Sequence, residues 1–185
     1  MSHPAVLDKQ QTALVVVDMQ EAFRKAIPAF PEIVSRIAQM IRGCRLLDVP
    51  VIVTEQYPKG LGKTAEEILF SLPDDFEFVE KTAFSSCGAQ LFTEKLENFS
   101  AKQILVCGIE THICVNQTAH DLLANGYQVH ILTDCVGSRF EHDKLAAIQK
   151  LTMNGAFPSS LEMALFELLR DSKHEQFKEI QHLIK

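Results

Sequence analysis

Two hydrophobic periods alternate along this chain. Short runs that are apolar at consecutive positions and rich in β-branched residues are separated by longer segments with apolar residues every three or four positions. A short run apolar on both faces marks a strand buried in a parallel sheet. Thr12–Asp18 (TALVVVD) and Pro50–Glu55 (PVIVTE) have this character most clearly. Phe76–Lys81, Gln103–Gly108 and Gln128–Asp134 repeat it, and a sixth, short strand is expected at Gly155–Phe157. Between them, Pro31–Leu47 carries Ile33, Ile37, Met40, Ile41, Cys44 and Leu47 on one helical stripe. Cys87–Leu96, Ile113–Ala124, His142–Met153 and Ser159–Leu169 follow the same rule, and His174–Ile184 reads as an amphipathic closing helix. Ser159–Ser160 ahead of Glu162 supplies an N-cap, and Gly126 after Asn125 a helix stop.

Strands alternating with helices imply right-handed βαβ units and a parallel sheet covered on both faces. No internal repeat or Pro/Gly/Ser-rich linker divides the chain. The expected architecture is one three-layer α/β/α, Rossmann-like domain over residues 1–185, with strand order 3-2-1-4-5-6. In such a sheet the ligand lies beyond the carboxyl ends of the strands, where strand order reverses. Strands one and four are neighbours there, which brings Asp18 and Cys114 to one crevice. Lys81 ends the third strand, two spacings of ~4.8 Å away, so a loop or its own reach must close the gap. A carboxylate, an ammonium and a thiol at one edge make a nucleophilic-hydrolase constellation.

Each of these residues also has a plainer reading. Asp18 suits an N-cap for a helix containing Phe23, and Lys81 suits a solvated surface. Cys114 stands where a helix begins, where unpaired N–H groups and the macrodipole favour a thiolate. Cys107 lies mid-strand and Cys44 on an apolar stripe, as core residues do. Cys87, in Ser85-Ser86-Cys87-Gly88, sits at a second helix entrance and remains a competitor. Cys135 has no basic neighbour in sequence.

Composition narrows the function. At 185 residues, 46% apolar and 23% charged, the chain has the make-up of one globular domain. No apolar run approaches the ~18 residues of a membrane span. Met1–Gln10 lacks the basic and apolar regions of a secretory signal. A net charge of −6 argues against nucleic acid, since no Lys/Arg stripe exists to neutralise phosphates. Five cysteines without a CxxC pair fit a reducing compartment, so a cytoplasmic protein acting on a small molecule is expected. Gly62-Lys63-Thr64 is not a P-loop, because Tyr57 stands where its first glycine belongs. His112 near Cys114 raises a metal pair or a Cys–His dyad, but no second pair has zinc-site spacing. No metal and no cofactor are expected.

Three segments carry a resemblance. They are Ala13–Gln20 (ALVVVDMQ), Glu80–Ser85 (EKTAFS) and Val106–Val115 (VCGIETHICV), the last continuing through Asn116 and Thr118 to Asp134. In this order and placement they resemble the isochorismatase-like cysteine hydrolases, a superfamily that includes nicotinamidases and N-carbamoylsarcosine amidases. Thr54–Pro58 (TEQYP) and Gln176–Gln181 (QFKEIQ) are similar to the isochorismatase domain-containing proteins, some of which have been labelled ribonucleases. The resemblance implies a triad of Asp18, Lys81 and Cys114, which decides between Cys114 and Cys87. It also implies a cis peptide between Ile109 and Glu110, and an oxyanion hole from the N–H groups of Glu110 and Cys114. Phe23, Tyr57, Phe84, His112 and Ile113 become substrate-binding residues by the same analogy.

Two departures bear on substrate. Glu55-Gln56-Tyr57 stands where metal-dependent nicotinamidases carry Asp-x-His. True isochorismatases lack the nucleophilic cysteine, so the thiol points to an amide or related C–N bond. The resemblance further implies a homo-oligomer. A non-catalytic, self-assembling relative is the alternative, with a redox role for the thiols a weaker third reading.

Overall fold

Every side chain of β1, Thr12–Val17, is buried. Leu14 and Val16 point into one core, and Ala13, Val15 and Val17 into a second on the other face. That two-sided burial explains why the run lacks polar alternation. The computed structural model describes residue 3 and residues 5–185. After β1 come α1 (Phe30–Leu46), β2 (Val51–Gln56), α2 (Pro58–Leu61), α3 (Glu66–Leu69), β3 (Val79–Lys81) and α4 (Gln90–Phe99). β4 (Gln103–Ile109), α5 (Asn116–Ala124), β5 (Gln128–Gly137), α6 (Glu141–Met153), β6 (Phe157–Ser159), α7 (Leu161–Leu169) and α8 (Phe177–Leu183) follow. The strands form one parallel sheet in the expected order, β3-β2-β1-β4-β5-β6.

On one face, α1 contributes Ile37 and Ile41, α7 contributes Leu165 and Leu168, and α8 contributes Ile180. On the other face, Phe92 and Leu96 of α4, Leu122 of α5 and Leu151 of α6 close the second core. The predicted caps are present: Ser160 Oγ accepts from the Met163 N–H at 3.3 Å. Gly126, at φ +85°, donates its N–H to the Leu123 carbonyl just beyond α5.

Several boundaries differ, each for a local reason. β3 is confined to Val79–Lys81, because Phe76 and Phe78 turn into the core and meet edge to face at 5.1 Å. The helix expected from Cys87 is a one-turn segment, Ser86–Gly88, followed by α4, with Ala89 extended between them. β6 lies two residues later than predicted, since Gly155 at φ +100° still belongs to the turn and an edge strand tolerates Pro158. β5 runs past Asp134 to Gly137 through a wide bulge. It advances five residues, from Ile131 to Val136, while β4 advances two, from Val106 to Gly108. Asp134, in that bulge, receives the Leu161 N–H at 3.0 Å and Arg36 at 3.2 Å, tying α7 and α1 to the sheet.

Candidate active site

The carboxyl ends of β1, β2, β3 and β4 build the site. β1 ends at Val17, and Asp18 leaves the sheet with φ +49°. Its Oδ1 accepts from the Thr54 hydroxyl at 2.7 Å, and its Oδ2 from Lys81 Nζ at 2.6 Å. Asp18 is therefore no helix cap, and Lys81 is not solvated: the residues are 1% and 5% exposed. Lysine reach closes the gap across β2. There Gln56, the register partner of Lys81, accepts from the same Nζ through Oε1 at 2.7 Å. The carbonyls of Phe84 at 3.0 Å and Ala83 at 3.2 Å complete the cradle. A buried ion pair stands firmly only when its remaining donors and acceptors are also engaged, and these are.

Sequence reasoning missed Thr54 and Gln56 as parts of the site. Both lie on one face of β2, and strand parity with Lys81 is the signal that could have found them. Gln56 is itself fixed: its Nε2 donates to the Thr82 carbonyl at 2.7 Å, and its N–H donates to Gln20 Oε1 at 2.8 Å.

β4 delivers the other half. Gly108 adopts φ +111°, and a Cβ there would stand 2.1 Å from the Val17 carbonyl oxygen, so β4 passes β1 closely just before the site. The next bond, Ile109–Glu110, is cis. The chain then makes a wide π-type turn, Thr111–Val115, before α5. Cys114 lies in that turn, 7% exposed.

Its thiol is pushed up to about 12, first by burial, then by the Asp18 charge; Lys81 opposes, while the hydrogen bond to Asp18 and the Glu110 charge add to the rise. This corrects the expectation of a thiolate favoured by the helix start. Desolvation of the charged sulfur is the largest cause, and the neighbouring Asp18 works in the same direction against Lys81.

Glu110 is also nearly buried. Its Oε2 accepts the Arg139 backbone N–H at 3.0 Å and the Arg139 Nε at 3.1 Å. The Glu110 N–H has no hydrogen-bond partner among the described residues.

The other expected wall residues divide. Tyr57 lines a cleft of about 410 Å³ along the outer edge of β3, together with Pro58, Lys59, Glu80, Lys81 and Ala89. Phe84 is exposed and joins the site through its carbonyl. Ile113 packs against the α4–α5 core, and Phe23 against the α1 core. The His112 ring is turned away to Ser138 Oγ at 2.9 Å, with Asp143 at 3.9 Å. Cys87 stands apart, in a cleft with Leu96, Leu122 and Tyr127, its thiol pushed up to about 11 chiefly by burial.

Comparison with known proteins agrees with this architecture. The isochorismatase domain family matches residues 12–163. Isochorismatase domain-containing protein 2 of Xenopus laevis is 43% identical over 96% of this chain and 85% of its own length. Isochorismatase domain-containing protein 2A of Mus musculus is 44% identical over 95% of this chain and 84% of its own. The structure of MAR1 ribonuclease from Caenorhabditis elegans superimposes with a TM-score of 0.92 at 37% identity, covering 97% and 92% of the two chains. With both the matched family domain and these relatives spanning most of its length, this chain belongs to the isochorismatase family.

Proposed function

We propose that the protein is a cysteine hydrolase that cleaves a small-molecule amide or related C–N bond. The observation that carries this reading is a buried carboxylate, Asp18, held by Lys81 at 2.6 Å at the strand ends where the Thr111–Val115 turn presents the buried Cys114. A thiol that burial keeps protonated needs a base close by, and Asp18, whose charge acts on the sulfur, fills that role. In the first step Asp18 takes the Cys114 proton as the sulfur bonds to the substrate carbonyl carbon. The oxyanion rests on the N–H groups of Glu110 and Cys114, each worth roughly 3 kcal/mol of barrier. As the C–N bond breaks, Asp18 returns the proton to the leaving nitrogen. Water then attacks the thioester, giving one proton to Asp18, and the sulfur leaves and recovers that proton. Lys81 holds the carboxylate in place through both stages and keeps the pair neutral overall.

RNA, the substrate class suggested by the name of the Caenorhabditis elegans relative, is less favoured. A net charge of −6 and a nucleophile 7% exposed suit a small acyl compound better than a polyanion. Cys114→Ala is expected to abolish turnover and leave the unfolding midpoint nearly unchanged. The decisive measurement is intact-protein mass spectrometry after exposure to an amide library. An acyl adduct on the wild-type chain, absent from Cys114→Ala, supports the hydrolase. Turnover that survives the substitution, or no adduct with any amide, leaves a self-assembling relative as the better reading.

A further inference from the structure

The ammonium of Lys9 lies 3.3 Å from Nε2 of the His174 ring, and the ring's other nitrogen, Nδ1, accepts the Gln176 backbone N–H at 3.2 Å. An ammonium and a backbone N–H only donate, whereas a neutral imidazole has one lone pair and a protonated one has none. Whichever nitrogen carries the ring's proton, a donor faces a donor. With Nδ1 accepting from Gln176, that confrontation falls between Lys9 and the Nε2–H. An oxygen acceptor set against both groups removes it, and an anionic oxygen also answers the ammonium charge.

Both side chains border a cleft of about 440 Å³ whose walls include Asp8, Leu168, Leu169 and Arg170. It lies where the chain enters β1 and where α7 ends, at the edge of the sheet opposite Asp18. The walls are pinned: the Leu7 N–H donates to Glu167 Oε2 at 3.1 Å, and the Asp8 N–H to Gln103 Oε1 at 2.7 Å. Asp8, the acid in the wall, commits both carboxylate oxygens to the turn that follows, accepting the Gln10 N–H at 3.1 Å and Gln11 Nε2 at 3.2 Å. Lys9 is half-buried and Arg170 exposed, and neither has a carboxylate partner among the described residues. Two cations thus stand against one occupied acid. The cleft also exceeds what an inorganic oxyanion fills and falls in the range of roughly 300–1,000 Å³ that small organic ligands occupy.

We propose that this cleft binds a small organic anion, a phosphate or carboxylate, through an oxygen that bridges Lys9 Nζ and the His174 Nε2–H. Arg170 closes on a second oxygen, and the carbon part lies over Leu168 and Leu169. The site is separate from the chemistry at Cys114 and does not depend on it.

The test is a titration of the wild-type chain at constant ionic strength, followed by the ring nitrogen signals of its histidines in NMR spectra. The probes are phenyl phosphate, benzoate and phenyltrimethylammonium. Saturable displacement of the His174 Nε2 signal by phenyl phosphate or benzoate is expected, and none by the cation. The tighter anion identifies the headgroup. Inorganic phosphate and acetate should bind about tenfold more weakly than their aromatic counterparts, because they leave the leucine surface bare. Equal affinity for the inorganic and aromatic forms would mark a place for an adventitious ion only and overturn the proposal. Lys9→Met should weaken the aromatic anion about tenfold, the loss of one hydrogen bond between charged groups. Arg42→Met, which removes the same charge from the exposed side of α1, should change affinity by less than about twofold. Equal losses from the two substitutions, displacement centred on another histidine, or no saturable displacement by either anion overturns the inference. Should Lys9→Met fail to fold, the contrast between anions and cation on the wild-type chain still decides.

Discussion

Gln56 shows how a neutral side chain can hold a charged one. Lys81 Nζ meets Gln56 Oε1 at 2.7 Å, and the amide's other end is committed to the Thr82 carbonyl. It is therefore a positioning residue, with no proton to give or take at the site. Gln56→Leu should lower kcat about tenfold at little change in KM, because one hydrogen bond to an ammonium is lost while the crevice wall stays. Gln56→Glu restores an acceptor and should recover most of the rate. If both variants fall equally, the residue serves packing rather than Lys81. Tabulating strand ends in a parallel sheet brought Asp18, Lys81 and Cys114 into view, and the family resemblance then set Cys114 above Cys87. Gln56 and Thr54 were not, since a polar residue at a strand end gains meaning only from its register with the neighbouring strand. The upward push on the Cys114 thiol was not legible for a related reason: burial cannot be seen in position along the chain.

Elements were legible where a pattern is long and local. The six strands, α1, α6 and α7 follow directly from apolar spacing, and Gly126 and Ser160 stand where turn and cap chemistry demand them. The short helices α2 and α3 escaped because four residues carry too little periodicity. The wide turn Thr111–Val115 escaped because its apolar spacing is shared with the helix it precedes. Gly108 is the element-scale device behind that turn, and it invites a paired measurement with Gly126. Both have positive φ, but a Cβ at Gly108 meets the Val17 carbonyl oxygen at 2.1 Å, while one at Gly126 meets nothing within 4 Å. Gly126→Ala should cost about 1 kcal/mol in chemical denaturation, the strain of the backbone alone. Gly108→Ala should cost about 3 kcal/mol or more and disturb Asp18 and Cys114, because two strands must move apart. Equal losses from the two substitutions would show that β1 and β4 do not depend on the close approach.

At the scale of the whole molecule, two cores on either face of one sheet leave few places for a titratable group, yet His130 occupies one. It lies on β5, 1% exposed, its ring 5.0 Å from that of Phe157 on β6. Its Nε2 has no hydrogen-bond partner among the described residues, and burial pulls its pKa from 6.5 down to about 4. Sequence reasoning took this strand for buried core without seeing that one of its interior positions titrates. The unfolded chain binds a proton at this site below pH 6.5, while the folded chain resists until about pH 4. Protons therefore favour the unfolded state throughout that window, and stability falls with falling pH. A shift of this size amounts to about 3 kcal/mol once both states are protonated, at 1.4 kcal/mol per unit. His130→Leu removes the group and its unpartnered nitrogen while keeping a similar volume. Near pH 8 the variant should match or slightly exceed the wild type in unfolding free energy, since neither chain carries a charge at this position. By pH 4 it should lead by most of that 3 kcal/mol, the carboxylates common to both chains cancelling in the difference. Parallel stability–pH curves for the two proteins would mean that the imidazole reaches water or a carboxylate within the fold. Curves that diverge only below pH 6.5 would place the molecule's acid sensitivity in the sheet interior rather than at the crevice.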